Sequence, residues 1–399
     1  MRTRPPLNPL IAAIAAPPIP EAQGWNALYD GRHGPVIDLS QAVPGHAPPA
    51  DFLARLGEAA ASADAARYGP ILGDATLREA YAAECGRAYR ADITAANIAI
   101  TAGCNMAFMV AAMLVAAPGD DILLPSPWYF NHRMALDMLG IGSTVLPCQA
   151  ARGFVPDPDE AARLIGPRTR AILLVTPNNP TGAIYPPETI ARFADLARTR
   201  GLMLILDETY RDFLPDGTSP HGLNRDPEAA GHLIQLYSFS KAYAIPGHRL
   251  GAMIAPEPFI AEAAKILDTM QICPARPAQQ ALVWAIGAMA GWRREKAGEL
   301  DARAQACRAM FGADSGFRVD SIGAYFAFVA HPFAGLSARA ASRMIAEQLG
   351  IITLPGAFFD PALETHLRIA FANVDAHTLS EAGRRITHLA GATPPAQSP

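Results

Sequence analysis

At 399 residues the chain exceeds one compact core of the commonest size, so a large and a smaller domain are expected. Half of it is apolar and 18% is charged, a globular composition, and the net charge of −4 comes from scattered residues, leaving no electrostatic footprint for nucleic acid or an anionic membrane surface. Five cysteines with no C-x-x-C pair and no accompanying histidine cluster argue against a disulfide framework or a structural metal, and point to a reducing, cytoplasmic setting.

In chain order, residues 1–50 are rich in Pro and Ala and read as an arm with at most one short helix that packs on another part of the molecule. The apolar run 10–16 is at the lower limit for a secretory signal and ends in Pro17-Pro18, so secretion is not expected, and no stretch approaches the ~18 apolar residues of a membrane span. Two helical patterns over 51–90 are separated by the turn Tyr68-Gly69-Pro70-Ile71-Leu72-Gly73, the second starting near Asp74 as N-cap. Strand-length runs follow at 98–101, 121–124, 143–146, 171–176, 202–206, 233–237 and 252–255. Most are apolar without alternation, as central strands buried on both faces are, and helix-length segments such as 186–200 separate them.

That pattern predicts an α/β large domain with a mostly parallel seven-stranded sheet flanked by helices. Long helices are expected at 259–270, 277–289 and 293–310. A smaller α+β domain follows, with strands at 323–330 and 367–371, a helix at 337–349, a last helix from Asp375 and a frayed tail at 391–399. The divisions are 1–50 for an arm joining the small domain, 51–285 for the large domain and 286–399 for the small one.

The ends of these strands carry the chemistry, because ligands of open α/β sheets bind at the carboxyl edge. Gly103-Cys104-Asn105 precedes a helix, so its amides suit a phosphate, or it is a plain turn. Trp128 and Tyr129 follow a strand and offer a ring to stack on a flat cofactor, or serve as core aromatics. Thr176-Pro177-Asn178-Asn179-Pro180-Thr181-Gly182 is a rigid turn that aims one polar side chain. Asp207, leaving an apolar strand, is costly without a cation or donor, which a protonated pyridine nitrogen would supply; capping the next helix is the plainer role. Tyr210, three residues on, could reach the same ring. In Ser238-Phe239-Ser240-Lys241, continuing to Arg249-Leu250-Gly251, the lysine suits an aldehyde, and the serine and arginine suit a phosphate; alone it is as readily a solvated turn.

Taken together and in order, these motifs resemble the class I/II aminotransferases, fold type I pyridoxal-phosphate enzymes. The matching residues are Tyr68-Gly-Pro-x-x-Gly73 with Leu77-Arg78, Asn179-Pro-Thr-Gly182, Asp207-Glu-x-Tyr210, Ser238-x-Ser-Lys241 with Arg249-Leu-Gly251, and Arg368 in Leu367-Arg368-Ile369-Ala370-Phe371. The resemblance implies that Lys241 binds the aldehyde of pyridoxal 5'-phosphate and, once displaced, acts as general base. It further implies that Asp207 pairs with the ring nitrogen, that Asn179 and Tyr210 bond the ring's 3-oxygen, and that Tyr129 stacks on the ring. Ser238, Arg249 and the Gly103, Cys104, Asn105 turn would bind phosphate. Tyr68 would reach the phosphate of a neighbouring subunit, making a homodimer with shared active sites. Arg368 would clamp the substrate α-carboxylate, and the expected substrates are an amino acid and a 2-oxo acid.

Departures from the family pattern bear on the substrate. Ala42 stands where many relatives carry a glycine whose amide lies near the substrate carboxylate. Gln271 falls within a residue or so of an arginine found in dicarboxylate-specific members, so an Asp or Glu donor is disfavoured. Trp25, Tyr29, Phe358 and Phe359 are available to favour a neutral, bulky or aromatic donor, and are equally good core residues. Arg276 is read as a surface or interface residue, with a lean into a neighbour's site as the alternative. Two rival readings stay open: a β-elimination or amino-acid oxidation on the same scaffold, and a regulatory domain that binds pyridoxal phosphate without catalysis.

Overall fold

Each of the seven strand-length runs at 98–255 is a strand of one sheet, five of them central and two at its edges. A computed structural model of the chain describes residues 7–215, 218, 220–312 and 315–390. Its strands in chain order are β1 (Ile37–Asp38), β2 (Ile98–Thr101), β3 (Asp121–Ser126), β4 (Gly142–Pro147), β5 (Thr169–Val175), β6 (Met203–Asp207), β7 (Leu233–Ser238), β8 (Gly251–Ile254), β9 (Arg318–Gly323), β10 (Phe326–Ala330), β11 (Ile351–Ile352), β12 (Leu354–Pro355) and β13 (His366–Ala370). One seven-stranded sheet has the order β2-β8-β7-β6-β5-β3-β4. Its pairs from β7 to β4 are parallel, and β8 is antiparallel to both neighbours.

The period of two along each strand distributes side chains between two helical layers. Leu173 and Ile205 join the core under helices Cys104–Val115 and Glu257–Gln271, whereas Ile172, Leu174 and Leu206 join the core under helix Pro187–Thr199. Each such fully buried Leu or Ile contributes about 1.5–3 kcal/mol relative to exposure. Because both faces are covered, polar side chains gather mainly at the ends of the strands.

The second sheet is antiparallel, in the order β12-β13-β10-β9, and the third is the parallel pair β1-β11. Through that pair, and through Ala370 N–H donating to the Leu39 carbonyl at 2.8 Å, the N-terminal segment is laid across the C-terminal part of the chain. Gly182 marks where the two large layers meet. At φ +75° it already favours glycine, and a Cβ there would lie 2.3 Å from the Phe326 carbonyl oxygen, so only glycine lets the turn after β5 sit on the β9–β10 hairpin.

Two expectations need correction, and a third is met with a different role for the side chain. The arm holds two short helices, Pro9–Ala12 and Pro18–Gly24, not at most one; each begins on a proline, which pre-sets φ at a first helical position instead of breaking the helix. The single strand expected at 323–330 is the turn and second arm of a hairpin, whose first arm, β9, is half-exposed and polar enough to escape notice. Asp74 does occupy the N-cap of helix Ala75–Tyr89, but its carboxylate makes no cap bond and pairs with Arg276 instead. The tail at 391–399 lies outside the described residues. Among the described residues no helix is long and apolar enough to cross a membrane.

Candidate active site

Register explains why distant residues converge. Val175, Asp207 and Leu236 stand side by side across β5, β6 and β7, and Ser238 at the end of β7 lies opposite Gly251 at the start of β8. Since β8 runs backwards, the residues before it, Arg249 included, arrive at the edge where the parallel strands finish. The resulting cavity, about 310 Å³, is lined by every expected site residue except Gly103 and Tyr68. That volume is at the lower end of the range for small-molecule sites.

Lys241 sits in the last turn of helix Phe239–Ala242 and donates from Nζ to the Ala42 carbonyl at 2.5 Å. The chain has three lysines. Lys265 and Lys296 are paired with glutamates on their own helices, whereas the contacts of Lys241 include no carboxylate. Burial, reinforced by the positive charges of Arg249 and Arg368, brings its amine down from 10.5 to about 8. A buried amine with such a value is a usable nucleophile and base near neutrality.

Asp207 is buried, and its Oδ1 accepts from the Thr209 amide at 2.9 Å. Its Oδ2 meets His132 Nε2 at 3.2 Å. The sequence reading did not find His132. It is carried on helix Phe130–Leu139, tilted against Phe108 and edge-on to Tyr129, and nothing local distinguishes it from a core histidine. Two donors leave acceptor capacity on both oxygens of Asp207 for a group in the cavity. Behind the site the neighbouring side chains face away from it: Glu208 accepts from Tyr89 and Gln235 at 2.6 and 2.8 Å, and Arg211 lies 4.4 Å over the Tyr237 ring.

Arg368 is 1% exposed. Its guanidinium donates to Asn179 Oδ1 at 3.1 Å and to the Ser40 carbonyl, and lies over the rings of Phe326 and Phe359 at 4.9 and 5.0 Å. None of these contacts is a carboxylate, and its Nε has no partner among the described residues. Burial pulls the group down to about 10, so it remains a cation near neutrality. Asn179 is aimed by its turn: Asn178 Oδ1 accepts from both the amide and the hydroxyl of Thr181, at 3.1 and 2.8 Å.

At the other end of the cavity, Gly103 caps helix Cys104–Val115 with φ +87°, and a Cβ on it would lie 2.4 Å from Arg249 Nη2. The missing side chain is therefore the space that the Arg249 guanidinium occupies beside the helix's N-cap. Cys104, Asn105, Ser238 and Arg249 line this end. Tyr129 lines the wall between the ends, its hydroxyl accepting from Asn131 Nδ2 at 3.0 Å. Tyr210 lines the same cavity, packed on Tyr325 and Phe326, and burial holds its hydroxyl well above the usual phenol value.

The geometry fits the expected cofactor. A carboxylate with spare acceptors, an amine on a short helix, two aromatic walls and a cationic, amide-lined end match a ring nitrogen, an aldehyde, a ring face and a phosphate.

Other residues are placed elsewhere. Tyr68 is 80% exposed and outside its own chain's cavity. Tyr29 packs on Gly350 and donates to the Gly34 carbonyl, so it is structural. Phe359 lies under Arg368, and Trp25 pairs with Phe358 next to it. Arg276 is held by Asp64 and Asp74 at 2.9 and 3.3 Å, and Gln271 by the backbone of β2. Ile19 of the arm, Val43 and Phe130 give the cavity an apolar wall.

Residues 34–386 match the family described as aminotransferase class I and II. An aromatic aminotransferase of Arabidopsis thaliana is 30% identical over 270 residues, 66% of this chain and 67% of that protein. The arginine–pyruvate transaminase AruH of Pseudomonas aeruginosa is 30% identical over 329 residues, 80% of this chain and 81% of its own. The solved structure of N-succinyldiaminopimelate aminotransferase from Mycobacterium tuberculosis superposes with a TM-score of 0.88 at 27% identity, covering 96% of this chain and 100% of that one.

Proposed function

The chain belongs to the class I and II aminotransferases, pyridoxal-phosphate-dependent enzymes, and we propose that it moves the amino group of a neutral, bulky or aromatic L-amino acid to a 2-oxo acid by a ping-pong sequence. The observation that carries the reading is Arg368, a buried guanidinium in the wall of the cavity that holds Lys241, with no carboxylate among its contacts. Such a charge is costly to bury alone, and a substrate α-carboxylate compensates it through two parallel hydrogen bonds.

In this reading Lys241, Asp207, Asn179, Tyr210, Tyr129, Ser238, Arg249 and the amides of Cys104 and Asn105 hold the cofactor. Bound there, pyridoxal phosphate supplies an electrophilic aldehyde and a ring that takes up the electron pair released at the substrate α-carbon. Arg368 fixes the carboxylate, which leaves the α-hydrogen within reach of Lys241. Lys241 Nζ, neutral in part near pH 8, accepts that proton and later returns it. His132 and the Thr209 amide hold the Asp207 carboxylate in place at the cavity wall.

Donor class follows from what the cavity lacks. Its cations on this chain are Lys241, Arg249 and Arg368, all with assigned work, while Arg276 is already neutralised and Gln271 is committed to backbone. No described cation remains for a side-chain carboxylate, and Ile19, Val43 and Phe130 favour an apolar one. The relatives differ among themselves, one named for aromatic amino acids and another for arginine and pyruvate. We also propose a homodimer in which Tyr68 serves the partner's site, supported by its 80% exposure and by the exposed Ile71 and Ile272 close by in the same surface region.

Single-turnover spectroscopy against a panel of amino acids tests the reading. Conversion of the bound cofactor together with the matching 2-oxo acid is expected for neutral bulky donors. Release of ammonia or peroxide instead would move the assignment to elimination or oxidation.

A further inference from the structure

Strand β2 is an edge strand, paired on one side with β8 alone. An edge leaves backbone donors and acceptors open, and each must be satisfied. Two groups from elsewhere complete this one. The Ile100 amide donates to the Leu72 carbonyl at 2.9 Å. One peptide further on, the carboxamide of Gln271 accepts from the Ala102 amide at 2.9 Å and donates to the Ile100 carbonyl at 3.2 Å. A side-chain amide thus stands where the peptide of a further strand would. Ala102 directly precedes Gly103, at which the phosphate end of the cavity begins.

The carboxamide is itself held in place by an unusual turn. Helix Glu257–Gln271 ends at this residue, and Ile272 follows with φ 61° and ψ −60°. The Cys273 amide closes back on the Gln271 carbonyl at 2.6 Å, a three-residue γ-turn. A β-branched residue in that region is a genuine outlier, and Ile272 is 47% exposed, so burial of its own side chain does not explain it. Cys273 Sγ then accepts from the Gly69 amide at 3.4 Å. The turn therefore ties the end of one helix to two separate pieces of backbone, one at the phosphate end and one beside Tyr68.

We propose that Gln271 is a positioning residue for the cofactor's phosphate: by completing the open edge of β2 it fixes the turn that presents the Cys104 and Asn105 amides and the space for Arg249. This rests on the phosphate lying at that turn, as in the reading above. Gln271 does not line the cavity, so its effect is expected at the phosphate end and not in the aldehyde chemistry of Lys241.

The test is titration of the full-length, cofactor-stripped protein with pyridoxal 5'-phosphate and with pyridoxal, which lacks the phosphate. Gln271→Met keeps the side chain's length and removes both hydrogen bonds. It is expected to weaken pyridoxal phosphate by about tenfold or more while leaving pyridoxal within about twofold. If Gln271→Met does not fold, the same ratio is read in Gln271→Asn, whose carboxamide is one methylene short. Arg249→Ala serves as the control for the phosphate site. A reduced ratio in Arg249→Ala with an unchanged ratio in the Gln271 variants overturns the positioning role alone. An unchanged ratio in Arg249→Ala overturns the phosphate assignment and the inference with it. Equal weakening of both ligands in the Gln271 variants would show a general structural role and also overturn it.

Discussion

His132 Nε2 stands 3.2 Å from Asp207 Oδ2, with both side chains almost completely removed from water. A hydrogen bond between the ring nitrogen and the carboxylate fixes the orientation of the acid at the cavity wall. His132→Phe keeps the packing against Phe108 and removes the donor. The expected outcome is a fall in kcat/KM of about 10- to 100-fold with weaker cofactor retention, the size of a lost charge-assisted hydrogen bond. Steady-state kinetics and cofactor dialysis check it. Unchanged values would leave His132 as a packing residue.

Arg368 separates function from stability. Removing a buried cation that has no carboxylate partner is neutral or stabilising, because the desolvation cost disappears with it. Arg368→Leu is therefore expected to melt at or above the parent temperature while losing about 100-fold or more in kcat/KM, mostly as weaker substrate binding. Thermal melts and kinetics on the same preparation check both halves. A melt well below the parent would mean the guanidinium is structural.

Lys241 carries a pH signature. Its amine must be neutral to engage an aldehyde, so the rate of cofactor loading into stripped protein is expected to rise with pH and level off above about 8 instead of near 10.5. Arg368→Leu removes one of the charges that lower this value, so the inflection moves upward. The folded value lies below the ordinary one, so the unfolded chain binds more protons between about 8 and 10.5, and this group's contribution to stability grows with pH across that window. Stopped-flow absorbance at a series of pH values reads the inflection directly.

Placement of the apolar wall gives a prediction on donors. Ile19 reaches the cavity from the arm helix Pro18–Gly24. Ile19→Asp is expected to depress turnover of leucine- or phenylalanine-like donors by about tenfold, roughly the worth of one well-buried aliphatic contact, while leaving cofactor binding unchanged. A panel of donors at fixed 2-oxo acid concentration checks it. Equal effects on small and bulky donors would place Ile19 outside the side-chain pocket.

Much of the large sheet was legible because central strands of a covered sheet are nearly continuous apolar runs, with polar side chains concentrated at their ends; Asp207, Ser238 and Asn179 stood out for that reason. The small sheet was less legible. β9 is a half-exposed edge strand whose polar pair Asp320-Ser321 breaks the alternation at a register shift, and β1, β11 and β12 are two residues each, too short for any periodicity. The prolines of the arm misled because the same residue that ends a helix also starts one. His132, the Ser40 and Ala42 carbonyls and the Gln271 bridge were invisible, since each acts across long sequence separations that no local pattern encodes.

Lys241 is the residue expected to bind the cofactor. Borohydride reduction of the purified enzyme followed by peptide mapping tests it most directly, because the chain offers only Lys241, Lys265 and Lys296 as candidates. A pyridoxyl group is expected on Lys241 alone, and on no peptide of Lys241→Ala. A pyridoxyl group on Lys265 or Lys296 at comparable yield, or normal transamination by Lys241→Ala, would contradict it.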